Sequence, residues 1–312
     1  MNQPAFLFPT VAHADWSVNP RKRWIAAAHL KNGTYHVEAA LPFIAADVLI
    51  ETEHLLLGVD FPIGLPLAYA NAIGVDSFYA FLESVQRGER ESFFEVADSA
   101  EKISLNRPFY PKRPGGTNRQ QLLDGLGFAD KLDLYRWCDR ATCKRRAGAS
   151  MFWTMGANQI GKGMLSGLRD LILPNWEHLV LWPFAGTLDK IANDAQAKLV
   201  IAECYPGELY HQLGLFTQRG SKRKQAVRRQ EGVHLLRWAD ANGVVISAEL
   251  QTQIEQGFGS HPDGEDPFDA VVGVFGMLNV ILGHQADKPI LPSEILEIEG
   301  WVFGQTALPI NY

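Results

Sequence analysis

The chain has 312 residues, enough for two domains of average size or for one large domain with an insertion. Its hydrophobic fraction of 46% and charged fraction of 21% exclude a disordered chain and a fibre. The formal net charge of -6 argues against binding of nucleic acid by the whole surface, but it leaves room for a local basic groove.

Cysteine usage and targeting signals indicate the compartment. Cys138, Cys143 and Cys204 form no CxxC pair, and their odd number fits a reducing compartment better than a disulfide framework. The first 15 residues lack the basic and apolar segments of a signal peptide. The most apolar run, residues 270–283, is shorter than the roughly 20 residues that span a bilayer. We therefore expect a cytoplasmic protein that does not contact a membrane.

The first third of the chain predicts a small sheet. Apolar or alternating runs predict strands, and Asn32-Gly33 predicts a tight hairpin turn between two of them. In chain order we expect strands at 6–15, 23–30 and 34–41, a short helix at 43–49 and a strand at 54–60.

The rest of the chain predicts mainly helices and one further strand. Helical segments at 75–84, 132–146 and 163–173 are separated by joints rich in proline and glycine. The sheet pattern resumes with a strand at 198–203, followed by helices at 206–213, 222–241 and 267–282. We interpret this order as one sheet-centred α/β domain, with a core of 1–66 and 196–312 and a helical insertion of 67–195.

Acidic residues stand where predicted strands end. Asp15, Asp60 and Glu203 each close a strand, and Asp266 and Asp269 open the last apolar helix. Chemistry gathers at the carboxyl edge of such sheets, and carboxylates that meet there repel each other unless a hard cation neutralises them. Oxygen ligands suit Mg²⁺ or Mn²⁺, and two such ions activate water and stabilise the leaving oxygen of a phosphodiester.

Each of these acids also has a purely structural explanation. Asp15 and Asp60 suit turns, and Glu203 suits a solvated strand end. Asp266 suits a helix N-cap that is followed by a proline, and Asp269 suits the first helical turn, where the helix dipole favours an anion. Capping and metal binding are compatible, since a spacing of three residues places both side chains near one helix face.

A basic run supplies candidate contacts for a phosphate-bearing substrate. Lys222, Lys224 and Arg228 lie at helical spacing, so that Lys224 and Arg228 face the same way. They could neutralise substrate phosphates beside the acidic site. The alternative is a solvated helix face without a binding role.

Several motifs, taken in order, resemble one uncharacterised family, which is described as predicted nucleases with a ribonuclease H fold. The matching segments span most of the chain and are 14–17 (ADWS), 21–24 (RKRW), 58–66 (GVDFPIGLP), 203–206 (ECYP), 222–236, 266–270 (DPFDA) and 299–301 (EGW). The resemblance implies a sheet of strand order 3-2-1-4-5, an acid on the central first strand, a second acid at the end of the fourth strand and others on the last helix. These positions fall on Asp15, Asp60, Asp266 and Asp269, and Glu203 ends the fifth strand.

The leading hypothesis is therefore a nuclease-type hydrolase that depends on Mg²⁺ or Mn²⁺ and acts on nucleic acid or a smaller phosphate ester. Asp15, Asp60, Asp266 and Asp269 would bind the metal, and Glu203 would support them. A second hypothesis is a phosphotransferase or ATPase of the actin and sugar-kinase type, although no glycine follows the first strand. A third is a non-catalytic binding protein of the same fold.

Overall fold

A computed structural model describes residues 8–43, 54–115, 117–156, 159–194, 196–216 and 220–310. The predicted helix at 43–49 lies outside these residues apart from Phe43. Internal contacts divide the chain into two compact units. The sheet unit comprises Met1–Asp60, Glu177–Lys288 and Val302–Gln305, and the second unit comprises Phe61–Trp176, Pro289–Trp301 and Thr306–Tyr312.

The sheet unit is built on an eight-stranded mixed sheet. Its strands are β1 (Thr10–Asp15), β2 (Trp24–Lys31), β3 (Thr34–Val37), β4 (Leu41–Pro42), β5 (Leu55–Val59), β6 (Leu179–Trp182), β7 (Leu199–Glu203) and β8 (Val245–Ile246). The spatial order is β6-β7-β5-β1-β2-β3-β8, and β4 pairs with β2. The α/β class, with a mixed sheet flanked by helices, is thereby confirmed.

The strand pairings follow from the local sequence. β1 and β5 are parallel, β5 and β7 are parallel, and all three are apolar and almost wholly buried, as expected of central parallel strands. β2 and β3 form an antiparallel hairpin, in which Asn32 and Gly33 both have positive φ. That turn matches the right-handed twist of the strands that it joins. The predicted hairpin is confirmed.

The α-helices are distributed over both units. In chain order, those within the described residues are α1 (Leu67–Ile73), α2 (Phe78–Gln86), α3 (Arg119–Leu126), α4 (Ile160–Gly167), α5 (Leu188–Ala192), α6 (Pro206–Gln212), α7 (Gln225–Asn242), α8 (Ala248–Glu255) and α9 (Glu265–Ile281). The first four belong to the second unit and the other five to the sheet unit. None of the helices in the described residues is long and apolar enough to cross a membrane.

Helix α9 covers one face of the sheet at β1 and β2. It is apolar on nearly every side and is buried along its length, which identifies it as a core helix. A Cβ at Gly273 would lie 2.0 Å from Cγ of His13, so glycine lets the helix backbone pass directly over the imidazole. A Cβ at Gly58 would likewise lie 2.5 Å from Sδ of Met277. Small residues therefore set the distance between α9 and the central strands.

In two segments the secondary structure differs from the prediction. Residues 132–146 do not form a helix: they contain short 3-10 turns at Lys131–Leu134 and Trp137–Asp139, followed by irregular backbone. Side chains compete for the backbone there, because Arg145 donates to the carbonyls of Cys138 and Arg140. Residues 179–182, predicted to lie in a helical insertion, form the edge strand β6. The division into a core and an insertion stays a prediction.

Candidate active site

Two of the predicted acids meet at the edge of the sheet. Ala14 pairs with Val59 in the parallel register of β1 and β5, so Asp15 and Asp60 occupy the ends of neighbouring strands. Side chains alternate along a strand, and Asp15 therefore lies on the same face as His13, and Asp60 on the same face as Gly58. That is the face that α9 covers.

Main-chain hydrogen bonding fixes Asp60. Its Oδ1 accepts the N–H of Trp16 at 2.7 Å, a bond that links the two strand ends just beyond Asp15. The indole of Trp16 is held in turn by Arg23, whose guanidinium lies 3.8 Å from the ring centroid. Arg23 Nε also donates to the Ser17 carbonyl at 2.7 Å. The turn after β1 is thus arranged around the Asp60 carboxylate.

Helix α9 brings the other two predicted acids to the same place. Asp269 is buried, and its carboxylate accepts hydrogen bonds from the hydroxyl of Tyr210 and from Nζ of Lys222. Asp266 is half-buried one turn earlier. The prediction that Asp266 is the N-cap is wrong: the helix begins at Glu265 after a 3-10 turn, Gly264 occupies the cap position, and no side chain caps it. Pro267 still lies in the first turn, where its missing N–H costs nothing.

The electrostatics of the four carboxyl groups show that they interact. Burial and the neighbouring charges of Asp60, Asp269 and Asp266 raise the pKa of Asp15 well above its ordinary value. Burial raises the pKa of Asp60 to about 7, and burial and Glu265 raise that of Asp266 to about 6. The pKa of Asp269 is also raised by burial, although Lys222 opposes this effect. Desolvation and mutual repulsion are thus balanced in part by two ammonium groups, Lys222 at Asp269 and Lys22 at Asp266.

The basic residues predicted to contact substrate fall into different environments. Lys222 is half-buried and paired with Asp269. Lys224 is exposed at the start of α7, and its substrate-binding role stays a prediction. The expectation for Arg228 is wrong, because its side chain is fully buried and a substrate phosphate cannot reach it.

Arg228 instead organises the backbone beside the acids. Its guanidinium donates to the carbonyls of Gly257 at 2.9 Å, Gly259 at 2.7 Å and His261 at 3.2 Å, which precede α9. It also donates to the Lys222 carbonyl at 2.7 Å. One buried arginine therefore positions Lys222 against Asp269.

Glu203 is not part of the cluster. In the parallel register it pairs with Val59, whereas Ala202 pairs with Gly58. Its side chain therefore lies on the opposite face of the sheet from Asp15 and Asp60, because successive residues alternate between faces. The expectation that Glu203 supports the other acids is not met.

Two residues near the acids were not anticipated. Tyr210 lies in α6, and its hydroxyl donates to Asp269; nothing in the spacing of the sequence marks this tyrosine. His13 lies on β1 beneath α9, where its Nε2 donates to the Cys204 carbonyl at 2.9 Å. Burial lowers the pKa of His13 to about 4, so it is neutral near pH 7. The sequence could have indicated His13, because a residue two positions before Asp15 on a strand lies on the same face as Asp15.

The four carboxylates are chemically suited to bind a divalent cation, but their side chains are not arranged around a metal position in this structure. Four carboxylates with an excess of negative charge are the oxygen ligands that Mg²⁺ and Mn²⁺ prefer, so the chemistry of the residues fits. Within the described part of the chain, however, no group of three or more His, Cys, Asp or Glu side chains is arranged to hold a metal ion. Lys222 occupies one carboxylate of the cluster, which places a positive charge where a cation would compete.

Comparison of the chain with protein-family models, with curated proteins and with solved structures finds no match.

Proposed function

We propose that the sheet unit is a hydrolase of phosphodiester bonds that depends on Mg²⁺ or Mn²⁺. The observation that carries this proposal is the parallel register that puts Asp15 and Asp60 at neighbouring strand ends, together with the pKa of Asp15, which burial and the charges of Asp60, Asp269 and Asp266 raise. Titratable groups whose environments perturb them in this way concentrate at functional sites. Like charges kept together at a cost to the fold are best explained by a positive ligand that neutralises them.

The topology of the sheet supports a ribonuclease H-like fold. Along the sheet the order includes β3-β2-β1-β5-β7, in which the first strand is central and carries Asp15. If the two-residue strand β4 and the later strands β6 and β8 are left aside, this is the arrangement that the resemblance to predicted nucleases implies. We therefore propose this fold family for the sheet unit.

The chain's own residues prepare the site in three ways. Trp16 orients the carboxylate of Asp60 through its N–H, and Tyr210 orients that of Asp269 through its hydroxyl. Lys222 neutralises Asp269 and, once displaced, would be available to a substrate phosphate. A divalent cation held by oxygens of Asp15, Asp60 and the α9 acids would activate water and stabilise the leaving oxygen.

The proposal is tested by comparing the wild type with Asp15→Asn on single-stranded, duplex, hybrid and branched nucleic acids, with Mg²⁺ or Mn²⁺. We expect metal-dependent cleavage by the wild type and a rate at least about 100-fold lower for the variant. Mutating a residue that merely supports a metal ligand lowers activity about 10- to 100-fold, and mutating the ligand itself should lower it further. Asp240→Asn is the matched control, since Asp240 is an exposed acid of α7. Equal cleavage by the wild type and Asp15→Asn would refute the proposal.

Metal binding is tested separately by thermal denaturation with millimolar Mn²⁺. Binding to the folded state alone raises the transition temperature. We expect a rise for the wild type and for Asp240→Asn, and none for Asp15→Asn. Stabilisation by Mg-ATP without cleavage of any nucleic acid would instead support the phosphotransferase alternative.

A further inference from the structure

A cavity of about 280 Å³ lies within the second unit and has a different character from the acidic site. Its polar lining is basic, with Arg119, Lys131 and Arg140, and Tyr135 contributes an aromatic ring. Leu132 and Ile310 are among the apolar lining residues. No carboxylate lines the cavity in the part of the chain that the structure describes.

Arg140 is the residue that indicates a ligand. Its Nε is buried and has no hydrogen-bond partner. The neighbouring carboxylate of Asp139 is taken by Arg136, which donates from Nε at 2.9 Å and from Nη2 at 3.1 Å. Buried donors in folded proteins are almost always satisfied, and an orphaned one calls for a missing partner. Arg140 is also one of the residues that line the cavity, so an anion there would meet its guanidinium.

The other two cations are also available to an anion. Within the described residues neither Arg119 nor Lys131 forms an ion pair. The guanidinium of Arg119 lies 5.7 Å from the ring centroid of Trp153, a contact that positions the charge without neutralising it. Three positive charges at one small cavity repel each other, and an anion relieves this repulsion.

The cavity wall is held by hydrogen bonds to main-chain carbonyls. The N–H of Ile310 donates to the Ala141 carbonyl at 3.0 Å, and the N–H of Gly148 donates to the Asp139 carbonyl at 2.8 Å. Arg145 donates to the Arg140 carbonyl at 3.3 Å. These bonds tie the residues around Arg140 to one another, as a preformed binding site requires.

We propose that this cavity binds one nucleotide through its phosphate group. Arg140, Arg119 and Lys131 contact the phosphate, and the base lies against Tyr135 and the apolar wall. The volume suits one small ligand, and guanidinium groups pair with phosphate oxygens through two parallel hydrogen bonds. The nucleotide is either free or one residue of a single strand, because both present the same chemistry. The inference does not rest on the function proposed for the acidic site.

The experiment is calorimetric titration of the full chain with 5′-AMP, with adenosine and with a hexaadenylate strand at low salt. We expect 5′-AMP to bind at least about 10-fold more tightly than adenosine, which lacks the phosphate. Arg140→Gln should weaken binding of 5′-AMP about 10- to 100-fold. Arg146→Gln is the matched control, because Arg146 is exposed close by in the same segment and does not line the cavity.

Each outcome decides for or against the nucleotide site. Similar affinity for adenosine and 5′-AMP, or undiminished binding by folded Arg140→Gln, would overturn it. If Arg140→Gln does not fold, the exposed Arg119→Gln takes its place with the same criterion. Equal affinity for 5′-AMP and hexaadenylate identifies a free nucleotide, whereas tighter, strongly salt-dependent binding of the strand identifies nucleic acid. Loss of cleavage in Asp15→Asn with 5′-AMP binding intact separates the two sites.

Discussion

Neutralising Asp60 should stabilise the protein at alkaline pH. The carboxyl group is buried at the end of β5, beside Asp15 and Asp269, and its pKa is raised from 3.8 to about 7. Asp60→Asn removes the charge but retains Oδ1, which accepts the N–H of Trp16 in the native site. The substitution therefore isolates the electrostatic effect from the loss of a hydrogen bond.

The magnitude follows from the linkage between protonation and folding. A raised pKa in the folded state means that stability is fully present below the unfolded value near 4 and is lost as the pH rises through 7. Moving the pKa of Asp60 from 3.8 to about 7 corresponds to about 4 kcal/mol of unfolding free energy above pH 7. We expect Asp60→Asn to recover a stability gain of this order at pH 8 and to differ by less than about 1 kcal/mol at pH 4.

The assay is urea denaturation followed by far-UV circular dichroism at pH 4 and pH 8, in a chelator so that no divalent cation contributes. Asp240→Asn serves as the control, because an exposed acid should leave the pH dependence unchanged. Two results would refute the reasoning from burial and repulsion. One is an Asp60→Asn variant that is less stable than the wild type at pH 8, and the other is a difference in unfolding free energy that is the same at pH 4 and pH 8.

Two substitutions test the packing that positions the acids. Gly273→Ala places a Cβ 2.0 Å from Cγ of His13 and should cost at least about 2 kcal/mol of unfolding free energy, whereas Gly148→Ala, whose Cβ meets only a carbonyl at 3.6 Å, should cost little. Arg228→Met leaves the carbonyls of Gly257, Gly259 and Lys222 without a donor and should cost more than about 3 kcal/mol, measured against the exposed Arg229→Met. Urea denaturation measures the unfolding free energy of all four variants. Equal stability of Gly273→Ala and Gly148→Ala, or of Arg228→Met and Arg229→Met, would contradict the packing described.

The acids at the ends of strands are the part of the site that could be predicted from the sequence. Continuous apolar runs mark β1 and β5, and an acid follows each run, so Asp15 and Asp60 were identified from sequence. Their meeting depends on parallel pairing in a register that places Ala14 opposite Val59. Glu203 ends a strand in the same way, but a register different by one residue turns its side chain to the other face.

The parts that could not be predicted depend on tertiary burial. Lys222, Lys224 and Arg228 belong to one basic run, and its helical spacing does not distinguish a paired lysine from an exposed one or from a buried arginine. Arg228 is buried because backbone carbonyls from a distant loop surround it. The predicted helix at 132–146 fails for a related reason, since side chains there bond to the backbone and replace helical hydrogen bonds.

The acidic cluster is difficult to explain as a contribution to folding. Burying carboxyl groups and placing them near one another opposes folding, and the raised pKa values of the four acids are the sign of that opposition. Lys222 forms its ion pair with Asp269 and only partly offsets the burial of Asp15 and Asp60, and Trp16 gives Asp60 a hydrogen bond without a charge. Local features that conflict with stability are expected at functional sites, where a ligand offsets the cost. On the proposed function, a divalent cation would offset it by removing the repulsion and would compete with Lys222 for Asp269, so that metal binding would be coupled to release of this lysine.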